Sequence, residues 1–178
     1  LSREGYVVIV PDLYHGKVAT DPEQAHVLNR GLEDAVTDAD LDRAVAWLRA
    51  EPRLAKKRIG AMGFSMGGGL AQRLAMRNGA ITALVMFYGP PVTDPRALAT
   101  LRGPVQGHYG EKDDGIPPAK VQALREGLRQ AGKTGEIYSY AGAGHAFMND
   151  QRPSYHPDAA RQAWARTLAF LQKNLKRS

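Results

Sequence analysis

Apolar runs and helical stripes alternate along this chain. Gly5-Tyr6-Val7-Val8-Ile9-Val10-Pro11 is β-rich and lacks polar alternation, so it reads as a parallel strand covered on both faces and ended by Pro11-Asp12. From Thr37, the expected N-cap, Leu41, Ala44, Val45 and Leu48 mark one helical face up to Pro52, while residues 17 to 30 carry only weak helix signals. The stretch Arg58 to Ala75 opens as a short buried strand and continues as a helix with Leu70, Ala71, Leu74 and Ala75 on one face. Ile81 to Tyr88, Val105 to Tyr109 and Gly135 to Tyr140 read as further strands. Helices are expected over about Pro118 to Gln130 and Asp158 to Leu175, with residues 92 to 103 as a connector. Strand and helix in this order predict an α/β fold, a mostly parallel sheet with helices on both faces, in a single domain spanning 1–178.

The strand-to-helix junction holds Gly63-Phe64-Ser65-Met66-Gly67, which matches the Gly-x-Ser-x-Gly nucleophile elbow. A serine on so sharp a turn is expected in a strained backbone region, with any Cβ at Gly63 or Gly67 colliding with its neighbours. Such a turn exposes the hydroxyl and leaves the Met66 amide at a helix start, where it can donate to a developing oxyanion.

Composition narrows the chemistry. The chain has no cysteine, which excludes a disulfide framework and a thiolate metal site, and no apolar run of membrane-spanning length. The expected location is therefore the cytoplasm, although the first residue is not methionine. A net charge of +6 raises the question of nucleic acid. Yet the basic residues are interleaved with acids along helices, and the two clusters, Arg53 to Arg58 and Lys173 to Arg177, fall at helix ends. Without a finger, helix-turn-helix or aromatic-basic pattern, no nucleic-acid partner is expected.

A serine hydroxyl needs a base within hydrogen-bond reach and a third group to fix that base's tautomer. Of five histidines, His145 sits on a small-residue loop after the last strand, from which a ring can reach over the elbow. His26 and His156 read as surface residues, His108 as a packed structural one, and His15 precedes the serine, against the serine, acid, histidine order. Asp113 and Asp114 both follow a strand between Ser65 and His145; Asp113 is preferred as the first past the strand end, and Asp94 ranks behind both.

Pro11-Asp12-Leu13-Tyr14-His15-Gly16, Gly63 to Gly68, Tyr109-Gly110-Glu111-Lys112-Asp113 with Ile116-Pro117, and Gly142-Ala143-Gly144-His145-Ala146-Phe147 together resemble the dienelactone hydrolase family of α/β-hydrolases. The resemblance covers essentially the whole chain. It implies Ser65 as nucleophile, Asp113 as acid and His145 as base, in an enzyme that acts on lactones and esters without metal or organic cofactor. Family dienelactone hydrolases carry cysteine at the elbow; Ser65 here favours a general carboxylesterase of short-chain esters over a dienelactone specialist. Tyr14, Phe64, Met66, Tyr88 and Phe147 are expected to line its acyl pocket.

The family also begins with strands that precede Gly5-Tyr6-Val7, so the fold expected here is a truncated α/β-hydrolase. One missing strand would leave a gap beside the elbow strand and remove the second oxyanion donor. The expected repair moves Tyr6-Val10 against Ile59-Met62, with Leu13 or Tyr14 supplying a substitute amide. The other two repairs are a partner chain that completes or protects the sheet, as in a homo-oligomer, and a natural protein of which this chain is only a part. The remaining functional alternatives are a lactone hydrolase and a non-catalytic assembly module on the same fold.

Overall fold

The computed structural model describes residues 1–176, so Arg177 of the terminal basic cluster lies outside the described residues. The chain divides into two compact units, Leu1–Lys56 and the remainder from Lys57 onward.

The first unit is helical. After a single 3₁₀ turn at Ser2–Glu4 come helix α1 (Pro22–Arg30) and helix α2 (Asp34–Ala50). Asp21 caps α1 by accepting from the Gln24 amide, and Pro22 fits the first helical position because its missing N–H has no intrahelical acceptor to lose. Two sequence expectations are corrected in this unit. Residues 6 to 10 form no strand, and Val7, Val8 and Val10 are exposed. A β-prone run becomes a strand only when a neighbour pairs its amides and carbonyls, and this run has no place in the sheet. Thr37 is not the N-cap of α2; the helix begins three residues earlier, capped by the Glu33 backbone, and Thr37 is a buried interior residue.

The second unit carries a four-stranded parallel sheet in the order β1-β2-β3-β4. These strands are β1 (Ile59–Phe64), β2 (Ile81–Phe87), β3 (Val105–Gly110) and β4 (Gly135–Tyr140). Strand order equals chain order, so each crossover passes through a helical segment: α3 (Met66–Arg77), then α4 (Pro95–Leu98), then α5 (Pro118–Gln130). Helix α6 (Pro157–Leu175) closes the unit. The expected pairing of Tyr6–Val10 with Ile59–Met62 does not occur, and β1 is the outer strand of the sheet.

The central strands explain their own apolar runs. From Ala83 to Phe87 β2 is fully buried, with α3 and α6 packed on it. Val121, Leu124 and Leu128 bury one face of α5, and Ala163, Phe170 and Leu171 one face of α6. Among the described residues no helix is long and apolar enough to cross a membrane.

Candidate active site

The carboxyl ends of β1, β3 and β4 supply the three side chains. Ser65 follows β1 directly, with φ 51° and ψ −121°, a region that L-residues avoid. Its amide still donates to the Phe87 carbonyl at 2.9 Å, which continues the β1–β2 ladder through the bend. Gly63 makes the bend feasible, since a Cβ there would stand 1.9 Å from the Gly67 carbonyl oxygen. The same expectation for Gly67 is corrected: a Cβ at that helical position meets nothing within 4 Å.

The acid loop and the histidine loop are strapped together. Lys112 donates its amide to the Ala143 carbonyl at 2.9 Å and Glu111 donates to Tyr140 at 3.1 Å. At Gly110 the two backbones approach so closely that a Cβ would lie 2.3 Å from the Ala143 oxygen. Asp113 is thereby held at the base of the histidine loop, its side chain 1% exposed. Its Oδ1 accepts from the amides of Gly115 and Ile116 at 2.9 and 3.1 Å, and its Oδ2 lies 2.7 Å from His145 Nδ1.

These contacts assign the imidazole tautomer. A carboxylate offers only acceptors, so Nδ1 carries the proton toward Asp113 and a neutral ring keeps Nε2 as an acceptor. Nε2 is 2.8 Å from Ser65 Oγ, which therefore donates to it. The His145 side chain is 44% exposed, so this end of the chain of hydrogen bonds is open to a small molecule. Helix α3 starts at Met66; the Gly68 and Gly69 amides bond the Ser65 carbonyl, and the two before them, Met66 and Gly67, have no intrahelical acceptor.

Asp114 is exposed and makes no part of this arrangement, while Asp94 caps α4 by accepting from the Arg96 amide. His26 is exposed, and His156 is the N-cap of α6, its Nδ1 accepting from Ala159 at 3.3 Å. His15 pairs with Asp40 Oδ2 at 2.6 Å, which holds the Asp40 carboxyl below the usual carboxylate range. Asp12 accepts from the Tyr14 and Gly16 amides at 3.0 and 2.7 Å, so the Tyr14 amide, expected as an oxyanion donor, is already committed; Leu13 lies in the same turn. Of the expected pocket residues, Phe64 is exposed, Tyr88 is 3% exposed and Phe147 is fully buried. Among the described residues no group of three or more His, Cys, Asp or Glu side chains could hold a metal ion.

Sequence reasoning missed an aromatic row beneath the site. Phe64, Phe87, His108 and Tyr138 pair in register across the four strands, with ring centroids 4.6, 4.6 and 5.6 Å apart. The Arg166 guanidinium covers its end, 4.1 Å above Tyr138. His108 is completely buried within it. Its Nε2 faces Gln106 Oε1 at 3.0 Å and Thr167 Oγ1 at 3.1 Å, and the threonine proton is engaged by the Ala163 carbonyl. Nε2 is therefore the protonated nitrogen, and Nδ1 accepts from the Tyr140 hydroxyl at 2.8 Å.

Burial, aided by the nearby Arg166 charge, pushes His108 down to about 3. The folded ring binds its proton less readily than the unfolded one, so its stabilising effect is complete above the unfolded pKa and is lost as pH falls below it. Between pH 6.5 and 5 this histidine alone is expected to cost on the order of 1–2 kcal/mol of stability. Urea unfolding at both pH values checks this: His108→Gln should lack that part of the pH slope, whatever its absolute stability. An unchanged slope refutes the assignment.

A parallel sheet crossed by helices, with a strained serine at the end of one strand and a histidine on a later strand's loop, has the architecture of the α/β-hydrolases. The sequence profile of the Dienelactone hydrolase family matches residues 1–175, and the chain belongs to that family. A protein of Methylorubrum extorquens named "Putative carboxymethylenebutenolidase" is 37% identical over 93% of this chain, and the chain spans 62% of that relative's length. A Bradyrhizobium protein named "Probable 2-oxo-3-(5-oxofuran-2-ylidene)propanoate lactonase" is 31% identical over 98% of this chain and 75% of its own length. Among solved structures, the "Putative Dienelactone Hydrolase" of Klebsiella pneumoniae is similar, with a TM-score of 0.80 and 33% identity, over 92% of this chain and 73% of that one.

Proposed function

We propose that this member of a hydrolase family is a serine carboxylesterase acting on short-chain esters through an acyl-enzyme. The observation that carries the reading is the unbroken hydrogen-bonded line from Ser65 Oγ through His145 to Asp113. In this reading Ser65 attacks the ester carbonyl as His145 Nε2 takes its proton, and Asp113 orients the ring and stabilises the imidazolium. The Met66 amide binds the oxyanion. His145 then returns the proton to the leaving alcohol and activates a water, which releases the acid and restores Ser65. Tyr88 packs its ring against His145 and Phe147 packs in turn against Tyr88, which favours a small acyl group.

A second reading, lactone hydrolysis, is favoured by the names of the Methylorubrum and Bradyrhizobium relatives. A lactone is an ester whose alcohol stays tethered to the acyl group, so the same steps apply. A fluorophosphonate probe tests the shared chemistry: labelling confined to Ser65 is expected, and absence of labelling argues for a non-catalytic module. Rates on p-nitrophenyl acetate, butyrate and octanoate should fall with chain length, and a preference for octanoate contradicts the short-chain assignment. A γ-lactone hydrolysed faster than the acetate ester moves the assignment to the second reading.

A further inference from the structure

Ser65 has a counterpart one strand over. Phe64 and Phe87 are paired in register, and the residue after each, Ser65 and Tyr88, has a positive φ, 51° and 39°. Both keep their amides on the neighbouring strand, Ser65 on Phe87 and Tyr88 on the His108 carbonyl at 2.7 Å. A left-handed conformation is costly for an aromatic residue and persists only where its surroundings fix it. The turn that follows Tyr88 is pressed onto the start of α3: a Cβ at Gly89 would lie 2.7 Å from the Gly68 Cα, and one at Gly68 would lie 2.9 Å from the Gly89 Cα.

The strained backbone aims the Tyr88 side chain at the histidine loop. Its ring meets the His145 imidazole at 5.1 Å, with the planes 60° apart, and the Phe147 ring at 5.3 Å and 73°. The Met148 backbone hydrogen-bonds the phenol oxygen, while burial pushes the phenol up to about 12. Tyr88 thus touches the ring of His145 and ties down the chain two and three residues beyond it. Within the trio, His145 is held through its two ring nitrogens, Nδ1 by Asp113 and Nε2 by Ser65.

We propose that Tyr88 is a positioning residue for His145, a strained aromatic brace that fixes the imidazole plane against the line from Ser65 to Asp113. The proposal rests on His145 acting as the base. An imidazole hydrogen-bonded at both nitrogens can still rock about the line through them; an aromatic contact against its ring removes that freedom. Since a misplacement of about 1 Å can cost on the order of 100-fold in rate, the brace acts on kcat rather than on substrate affinity.

Two variants separate the ring from the hydroxyl. Tyr88→Leu should lower kcat on p-nitrophenyl acetate by roughly 30- to 100-fold with KM within about twofold, while Tyr88→Phe, which keeps the ring, should lose only about three- to tenfold. In nitrogen-15 spectra the downfield Nδ1 proton of His145 should persist in the wild type and in Tyr88→Phe, and broaden away in Tyr88→Leu. A raised KM with unchanged kcat would make Tyr88 a substrate contact and overturn the proposal, as would an unaltered resonance in Tyr88→Leu. Should the leucine variant fail to fold, an unchanged kcat in Tyr88→Phe overturns it. If the wild type itself hydrolyses no ester, the reading of the site fails; the proton resonance then still decides whether Tyr88 restrains the ring.

Discussion

Ser65→Ala is expected to abolish ester hydrolysis, with kcat down on the order of 10⁴- to 10⁶-fold and the fold intact. The size follows from the way the proton is shared. Oγ donates to His145 Nε2 at 2.8 Å, and Nδ1 is committed to Asp113 at 2.7 Å, so neither the hydroxyl nor the imidazole works alone. Groups that act as one unit are not additive. His145→Ala should therefore be nearly as damaging as Ser65→Ala, and the double variant little worse than either. Hydrolysis of p-nitrophenyl acetate, measured with thermal unfolding as a control, tests all three. A Ser65→Ala protein as active as the wild type defeats the serine mechanism. A double variant far below both singles would mean that the two residues act in separate steps.

The same three residues show how far sequence could carry the site. Each follows a strand that announces itself as an apolar or β-rich run, and the elements occur in a fixed order. Ser65, Asp113 and His145 could therefore be named before any geometry was known. Within the second unit the four-residue helix α4 lies in the stretch read as a connector, whereas the four strands and helices α3, α5 and α6 were legible for the same reason: a strand buried in a sheet has to be apolar. The run from Gly5 to Pro11 has the same look and is not a strand. Local preference records what a segment favours when paired; whether a partner is present is a property of the whole sheet. Thr37 misled in a related way, because a threonine that can cap can also be buried inside a helix.

What could not be read depended on register. The row of Phe64, Phe87, His108 and Tyr138 exists only because β1 to β4 align those four positions. No spacing along the chain encodes that alignment. Tyr88 was visible as an aromatic before the turn signal Gly89-Pro90-Pro91, which suggested a pocket wall. Its positive φ, and with it the direction of its ring, comes from the close approach of Gly89 to Gly68, two backbones distant in sequence.

The glycines of the elbow supply the other large effect. Gly63→Ala should unfold the second unit or leave it non-native, a loss on the order of 4 kcal/mol or more, whereas Gly67→Ala should stay within about 1 kcal/mol of the wild type. At Gly63 an added methyl would stand 1.9 Å from the Gly67 oxygen, 2.1 Å from its carbonyl carbon and 2.6 Å from the Gly68 nitrogen. All three are backbone atoms of the turn that opens α3, so no side chain can move aside to relieve them. The helix start would have to withdraw from β1, which breaks the bend that presents Ser65. The new methyl at Gly67 meets open space and trades a flexible glycine for a better helix former. Urea unfolding of the two variants measures the contrast, and the serine-directed probe reports whether the turn survives. A Gly63→Ala protein with a native unfolding midpoint and normal labelling would show that the bend has room that this geometry denies it.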